Sequence, residues 1–208
     1  MIRTLTAALT VSVLAMPAAA QEFALYGGAA LQYNAYEDDP KSDLNGYLEA
    51  EYGGFYGGIW AEISDQSAAN EIDLYVGYRG EAGALSYDVN YTRYLYPNDG
   101  GDCCGELGLV LGYAVTDQLS LGTELYIDPD NETGSAYLTF DMAATEKLSV
   151  SGSVGFYEAG YGRYNEWDIG VGYALGEETS VELRYYEGEE YDGYLRLQLA
   201  WDTTILPR

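Results

Sequence analysis

The feature that most constrains the fold is an alternation of polar and apolar residues that recurs in short segments along the chain. Within residues 71–79, apolar side chains at even positions alternate with mostly polar ones at odd positions. A period of two residues places the two sets on opposite faces of a β-strand. The pattern predicts strands near residues 23–36, 44–52, 55–63, 71–79, 84–94, 105–115, 119–127, 135–144, 148–158, 165–174, 179–187 and 192–201.

Short and long connections follow each other between these segments. The short ones include Gly53-Gly54 and residues 116–118, whereas the long ones, such as residues 37–43, 64–70 and 97–104, are rich in Asp, Asn and Gly. This arrangement is typical of an outer-membrane barrel with tight periplasmic turns and longer extracellular loops. We therefore expect an all-β fold, a transmembrane antiparallel up-and-down β-barrel of about 12 strands. An even strand number places both termini in the periplasm.

A soluble β-sandwich or solenoid is the alternative architecture, because alternation alone does not say which face lies inside. The polar face carries too many charges for a dry core, but it could line a wet lumen. This argument favours the membrane barrel.

The first twenty residues predict a cleaved signal peptide. Arg3 precedes an apolar stretch that ends before Ala18-Ala19-Ala20, and the stretch is too short to span a bilayer as a helix. The expected organisation is a signal peptide over 1–20, a barrel over 21–201 and a C-terminal tail over 202–208. The alternating segment that ends at Trp201 resembles the insertion signal read by the barrel assembly machinery, an expected partner during biogenesis.

Composition excludes several functions. Nine Lys and Arg stand against 34 Asp and Glu, a net charge of −25, so a nucleic-acid partner is not expected. The chain has no histidine, which removes the usual catalytic triads and the commonest metal ligand. We expect no enzyme activity, no catalytic residues, no metal and no cofactor. Cys103 and Cys104 are adjacent, and they are either incidental loop residues or a vicinal disulfide.

The predicted register gives the lumen an acidic lining. Three arginines accompany the acids, and pairing of Arg184 or Arg196 with Glu182 or Glu166 across the lumen is one arrangement open to them. The predicted lumen-lining residues are Glu49, Glu51, Glu62, Glu71, Asp73, Asp88, Glu124, Asp141, Glu166, Asp168, Glu182, Arg79, Arg184 and Arg196. Such a lumen would concentrate cations and repel anions, because low-dielectric walls focus the field.

The opposite face predicts aromatic residues at the two membrane interfaces, where amphipathic rings are favoured. These are Tyr52, Phe55, Tyr78, Tyr113, Trp167, Tyr173 and Trp201. Membrane lipid and lipopolysaccharide are the expected surroundings. Arg93, at the predicted extracellular rim, either meets lipopolysaccharide phosphates or extends into water.

Three segments, residues 54–61, 70–78 and 85–89, carry a family resemblance. Their sequences, GFYGGIWA, NEIDLYVGY and LSYDV, resemble the TorF family of porins. The resemblance implies an outer-membrane β-barrel with a signal peptide, and it supplies neither a substrate nor catalytic residues.

Two functions are expected from these patterns. The first is a porin-like channel through which small cations or polar solutes diffuse passively. The second is a closed structural or adhesive barrel that acts through its extracellular loops.

Overall fold

The computed structural model describes residues 23–37 and 39–207. Twelve antiparallel strands form one closed barrel in which each strand pairs with its sequence neighbours and β12 pairs with β1. The strands are β1 (Phe23–Ala35), β2 (Lys41–Tyr52), β3 (Phe55–Ser64), β4 (Glu71–Ala82), β5 (Leu85–Tyr96), β6 (Gly101–Ala114), β7 (Leu119–Asp128), β8 (Thr133–Ala143), β9 (Leu148–Ala159), β10 (Gly162–Ala174), β11 (Thr179–Gly188) and β12 (Tyr191–Leu206). The predicted up-and-down barrel is confirmed, and the sandwich and solenoid alternatives are wrong.

One helical segment accompanies the strands in the described chain, a single turn of 3-10 helix at Ser67–Ala69. No helix among the described residues has the length and hydropathy to cross a bilayer. The predicted signal peptide over residues 1–20 lies outside the described residues.

Burial is inverted relative to a soluble protein. Leu31, Leu138 and Phe55 expose 56%, 65% and 67% of their surface, whereas Asn34, Glu71 and Arg196 expose 7% or less. Soluble proteins bury aliphatic side chains and leave charges outside. The apolar face of the alternating strands therefore points outward, and the polar face lines the lumen.

The chain end differs from the sequence prediction. β12 continues to Leu206, so most of the predicted tail at 202–208 belongs to the barrel, and the predicted boundary at residue 201 is wrong. Thr203 and Thr204 pair with Gly27 and Tyr26, and a register shift follows at Leu25. These residues satisfy the backbone groups of β1 that would otherwise form an open sheet edge.

Five short turns lie at one rim of the barrel, which we call the turn rim. β1 begins and β12 ends at this same rim, since Phe23 pairs with Tyr52 beside the first turn. The six strand connections at the opposite rim, the loop rim, include residues 36–40, 65–70 and 97–100. The described ends of the chain therefore share one side of the barrel.

The β2–β3 turn requires glycine. Gly53 and Gly54 have φ angles of 59° and 86°, the left-handed values of a two-residue type I′ hairpin. A Cβ atom on Gly54 would lie 2.6 Å from the carbonyl oxygen of Arg79 and 3.0 Å from the Tyr78 ring. Gly83, with φ of 68°, has nothing within 4 Å of such an atom.

This contrast gives a stability prediction. We expect Gly83→Ala to lower the free energy of unfolding by about 1 kcal/mol through backbone strain alone. Gly54→Ala should cost roughly 2 kcal/mol or more, because strain and crowding add. Urea unfolding of the protein refolded in lipid vesicles measures both. Equal losses would contradict the close contact at Gly54.

The barrel lumen as a candidate functional site

The structure places the predicted lumen residues on the interior face of the barrel. Glu51, Glu71, Asp73, Glu166, Arg184 and Arg196 are buried. Glu49, Glu62, Asp88, Glu124, Asp168, Glu182 and Arg79 are partly accessible, and Asp141, near the turn rim, is exposed to solvent. Their neighbours along each strand, such as Leu48, Leu74 and Leu125, are exposed on the outside. Carboxylates therefore line the interior from one rim to the other.

One interior cluster forms around Arg79 on β4. The guanidinium pairs with Glu49, and its Nε lies 3.1 Å from Oε2 of Glu51. It also lies 4.1 Å from the centre of the Tyr56 ring, and the Tyr56 hydroxyl donates to Asp88 Oδ1 at 2.7 Å. One cation thus joins three neighbouring strands through two carboxylates and an aromatic ring.

A second cluster forms around Arg184 on β11. Its guanidinium pairs with Asp168 on β10 and, through Nε at 2.9 Å, with Glu182 Oε1. Nη2 donates to the Ser151 hydroxyl on β9 at 2.5 Å. Arg184 does pair with Glu182, but the two residues lie two positions apart on β11, so this is not the pairing across the lumen that the sequence predicted. As at Arg79, two carboxylates share one cation, so each cluster keeps a negative balance.

Arg196 lies directly opposite Arg184 on β12 but has different surroundings. Its Nε donates to Asn34 Oδ1 at 2.6 Å, and its guanidinium stacks 4.8 Å from the centre of the Tyr186 ring. Among the described residues no carboxylate forms an ion pair with it, so pairing with Glu166 is wrong. Neighbouring tyrosines provide oxygen acceptors in place of an acid, namely the Tyr186 and Tyr194 hydroxyls at 3.2 and 3.5 Å.

Most remaining interior acids are held by tyrosine hydroxyls. Five such bonds are Tyr94 to Glu106 at 2.7 Å, Tyr96 to Glu71 at 3.0 Å, Tyr126 to Glu124 at 3.1 Å, and Tyr137 and Tyr191 to Glu166 at 2.6 and 3.1 Å. A phenol donates a hydrogen bond without bringing positive charge. These bonds orient the carboxylates and leave their charge uncompensated.

The sequence prediction missed several interior acids, among them Asp43, Glu106 and Asp128. Asp43 is buried and accepts a hydrogen bond from Asn34 at 2.7 Å, and Glu106 is bound by Tyr94. Asp43 precedes the predicted start of β2 by one residue. On β6 the interior positions next to Glu106 include Gly108 and Val110, which obscure the alternation. Extending each alternating run by one position would have found Asp43.

The predicted interface aromatics lie on the outer surface. Tyr52, Phe55, Tyr78, Tyr113, Tyr173 and Trp201 are exposed near the turn rim, where the Phe55 and Tyr78 rings are 4.7 Å apart. Trp167 is exposed on the loop-rim half of the barrel, 5.5 Å from the Tyr185 ring. Two aromatic bands therefore flank the aliphatic zone.

The loop rim holds the other predicted features. Arg93 pairs with Asp102 at 2.6 Å and with Asp130 at 2.5 Å, so its cation is occupied by carboxylates of this chain. Cys103 and Cys104 form a vicinal disulfide within β6 and are not loop residues. The described residues contain no group of three or more His, Cys, Asp or Glu arranged to hold a metal ion.

Solved structures similar to this barrel include porins. A KdgM porin aligns with a TM-score of 0.68 and 11% identity over 84% of this chain and 98% of that chain. A NanC porin aligns with a TM-score of 0.67 and 8% identity over 86% and 100%. A KdgM porin in complex with disordered oligogalacturonate gives 0.64 and 12% over 84% and 98%. At these identities the likeness establishes the fold.

Sequence comparison gives the family. No curated protein matches the chain. The TorF resemblance stays a prediction, since no comparison names that family. Residues 43–197 match the model of a family described as "Bacterial protein of unknown function (Gcw_chp)". This match covers most of the chain and most of the barrel, and the protein therefore belongs to the Gcw_chp family.

Proposed function

We propose that the protein is an outer-membrane channel for the passive diffusion of small solutes, and that it prefers cations. The porin-like barrel, its apolar outer wall and its two aromatic bands support the location. The turn rim is then periplasmic together with both termini, and the loop rim faces outward toward lipopolysaccharide. Biogenesis then relies on the barrel assembly machinery.

The cation preference is proposed because several interior acids are hydrogen-bonded by tyrosines and are not paired with arginines. Glu71, Glu106, Glu124 and Glu166 accept hydrogen bonds from tyrosines, and none of them forms an ion pair with a described residue. A barrel wall closed for rigidity alone would gain more from pairing acids with bases. Fixed, uncompensated carboxylates inside a low-dielectric wall attract cations and exclude anions.

The KdgM structure in complex with oligogalacturonate allows the charge of that ligand to be compared with the charge of this lumen. Galacturonate oligomers are polyanions, whereas the interior of the present barrel is strongly acidic. Like charges facing each other across an interior oppose binding. The shared architecture therefore supports a channel, and the lumen charge favours solutes of the opposite sign.

A closed structural or adhesive barrel is the second candidate. The Arg79 and Arg184 clusters favour it, because each ties neighbouring strands together and places long side chains inside the lumen. In this case the extracellular loops would carry the function. We propose no enzyme activity, since the chain lacks the histidine on which common hydrolytic sites depend.

Single-channel recording in a planar bilayer tests the proposal. The protein from residue 21 onward is refolded and added to a bilayer with a KCl gradient. Discrete current steps with a cation-selective reversal potential are expected. A folded, heat-modifiable barrel without current steps would refute the channel and favour the closed barrel.

The orientation of the tryptophans provides a separate test of the membrane location. Trp167 and Trp201 expose 43% and 46% of their surface on the outer wall, whereas Trp60 lies on the interior face. We expect brominated lipids to quench single-tryptophan variants that retain Trp167 or Trp201 and to leave a Trp60-only variant bright. Equal quenching of all three would contradict the assignment of the outer face.

A further inference from the structure

Side chains that point into the lumen become more buried from the turn rim toward the loop rim. On β4, Glu81 beside the turn rim is exposed, whereas Asp73 and Glu71 beside the loop rim are buried. On β7, Ser120 is exposed at the turn rim and Asp128 is buried at the loop rim. The barrel wall is one strand thick, so an inward side chain is covered only by other inward side chains or by the strand connections at the rim. The lumen is therefore more filled in its loop-rim half.

Four tyrosines pack together in this half of the lumen, beside β11, β12 and the end of β1. Tyr194 on β12 stacks on Tyr186, its direct partner on β11, with ring centres 4.9 Å apart and an angle of 11° between the rings. The ring of Tyr36, which follows β1, is centred 4.1 Å from that of Tyr194, and the Tyr191 ring is centred 5.9 Å from it. With three rings around it, Tyr194 is only 8% exposed. We call these four residues the tyrosine stack.

Two cations lie against the tyrosine stack. The Arg196 guanidinium is 4.8 Å from the centre of the Tyr186 ring, and its Nε is anchored to Asn34 on β1 by a hydrogen bond of 2.6 Å. On the other side of the stack, Nζ of Lys41 is 5.3 Å from the centre of the Tyr36 ring. A cation over the face of an aromatic ring is attracted by the quadrupole of that ring. These contacts hold the rings inside the lumen.

We propose that the tyrosine stack is the constriction of the channel and sets the size limit for the solutes that cross it. Rings held inside the bore exclude a solute by volume, and the narrowest diameter of a pore limits what passes. In the proposed orientation the stack lies toward the extracellular entrance, so it excludes large solutes before they reach the turn-rim half of the lumen. This inference rests on the proposed channel function and adds to it the residues that limit solute size.

Single-channel conductance of the protein refolded from residue 21 onward tests the constriction. Tyr194→Ala removes the central ring of the stack, and Tyr36→Ala removes a ring that lies outside the strands, where the barrel ladder is unaffected. We expect each variant to raise the conductance about twofold and to admit larger polyethylene glycols, because pore diameter limits both. Tyr194→Phe keeps the ring and should conduct within about 20% of the unmodified protein.

Tyr33→Ala is the matched control. Tyr33 also lies on the loop-rim half of β1, but it is 47% exposed on the outer wall, so the conductance of this variant should stay unchanged. Heat-modifiable migration checks that each variant is folded.

The outcomes separate the constriction from the channel itself. If the unmodified protein conducts and the alanine variants at Tyr36 and Tyr194 conduct no better than Tyr33→Ala, the inference is overturned while the channel stands. An unmodified protein without current steps that conducts after Tyr194→Ala would support the constriction and refute passive diffusion through the native barrel. Silence of every folded variant would refute the channel and overturn the inference as well, because the lumen would then be closed elsewhere.

Discussion

Neutralising four interior acids that form no ion pair with an arginine should abolish most of the cation preference of the channel. The variant combines Glu62→Gln, Asp73→Asn, Glu106→Gln and Glu124→Gln, none of which removes a partner of an arginine. We expect the ratio of cation to anion permeability to fall about tenfold, because the focused negative field is the source of the enrichment. The reversal potential in a KCl gradient measures it.

A matched control carries the same change in charge outside the barrel wall. Asp99→Asn, Asp117→Asn, Glu146→Gln and Glu177→Gln lie in exposed connections. Their combined effect should be small, and raising the salt from about 0.1 M to about 1 M should reduce it further, because the Debye length falls from about 10 Å to about 3 Å. Equal shifts in the two variants would contradict a lumen-based preference.

Removal of the Arg184 side-chain charge should give the largest single loss of stability. Arg184→Met leaves Asp168 and Glu182 close together without their cation, and it also frees the Ser151 hydroxyl. A fully buried pair that loses one partner costs about 3–5 kcal/mol. Because the Glu182 side chain is 25% exposed and remains partly hydrated, we expect about 2–3 kcal/mol here. Urea unfolding in lipid vesicles measures the change.

Arg163→Met is the matched control for this change. Arg163 pairs with Glu158 at 2.8 Å, but the two side chains are 59% and 37% exposed. Exposed pairs contribute about 0–1 kcal/mol, so this variant should unfold almost like the unmodified protein. If Arg184→Met were no more destabilising than Arg163→Met, the interior cluster would have no structural role.

Prediction from sequence succeeded where local alternation is strong. On β4, Ile72, Leu74 and Val76 alternate with acids and a tyrosine, and the structure puts each set on the expected face. Strand ends were less accurate, as β6 begins at Gly101 and β12 ends at Leu206. Extension of a strand at its ends depends on whether the neighbouring strand offers hydrogen-bonding partners, and this is a property of the closed sheet.

The interior partners were the least predictable part of the site. Arg79 reaches Glu49 and Glu51, about thirty positions earlier in the chain, and Arg196 binds Asn34 from the opposite end of the sequence. Trp60 and Asp73 become cross-strand partners only because β3 and β4 pair in one particular register. A local sequence pattern carries no information about such contacts between residues that are far apart in the chain.

The sequence by itself determined the twelve-strand pattern, the two chemically distinct faces and the acidic excess of one of them. These properties follow from a two-residue period and from composition, which are local. Only the tertiary structure decided that β12 closes on β1, and which acids are paired with arginine or hydrogen-bonded by tyrosine. Those outcomes depend on closure and register, which bring together residues that are far apart in the chain.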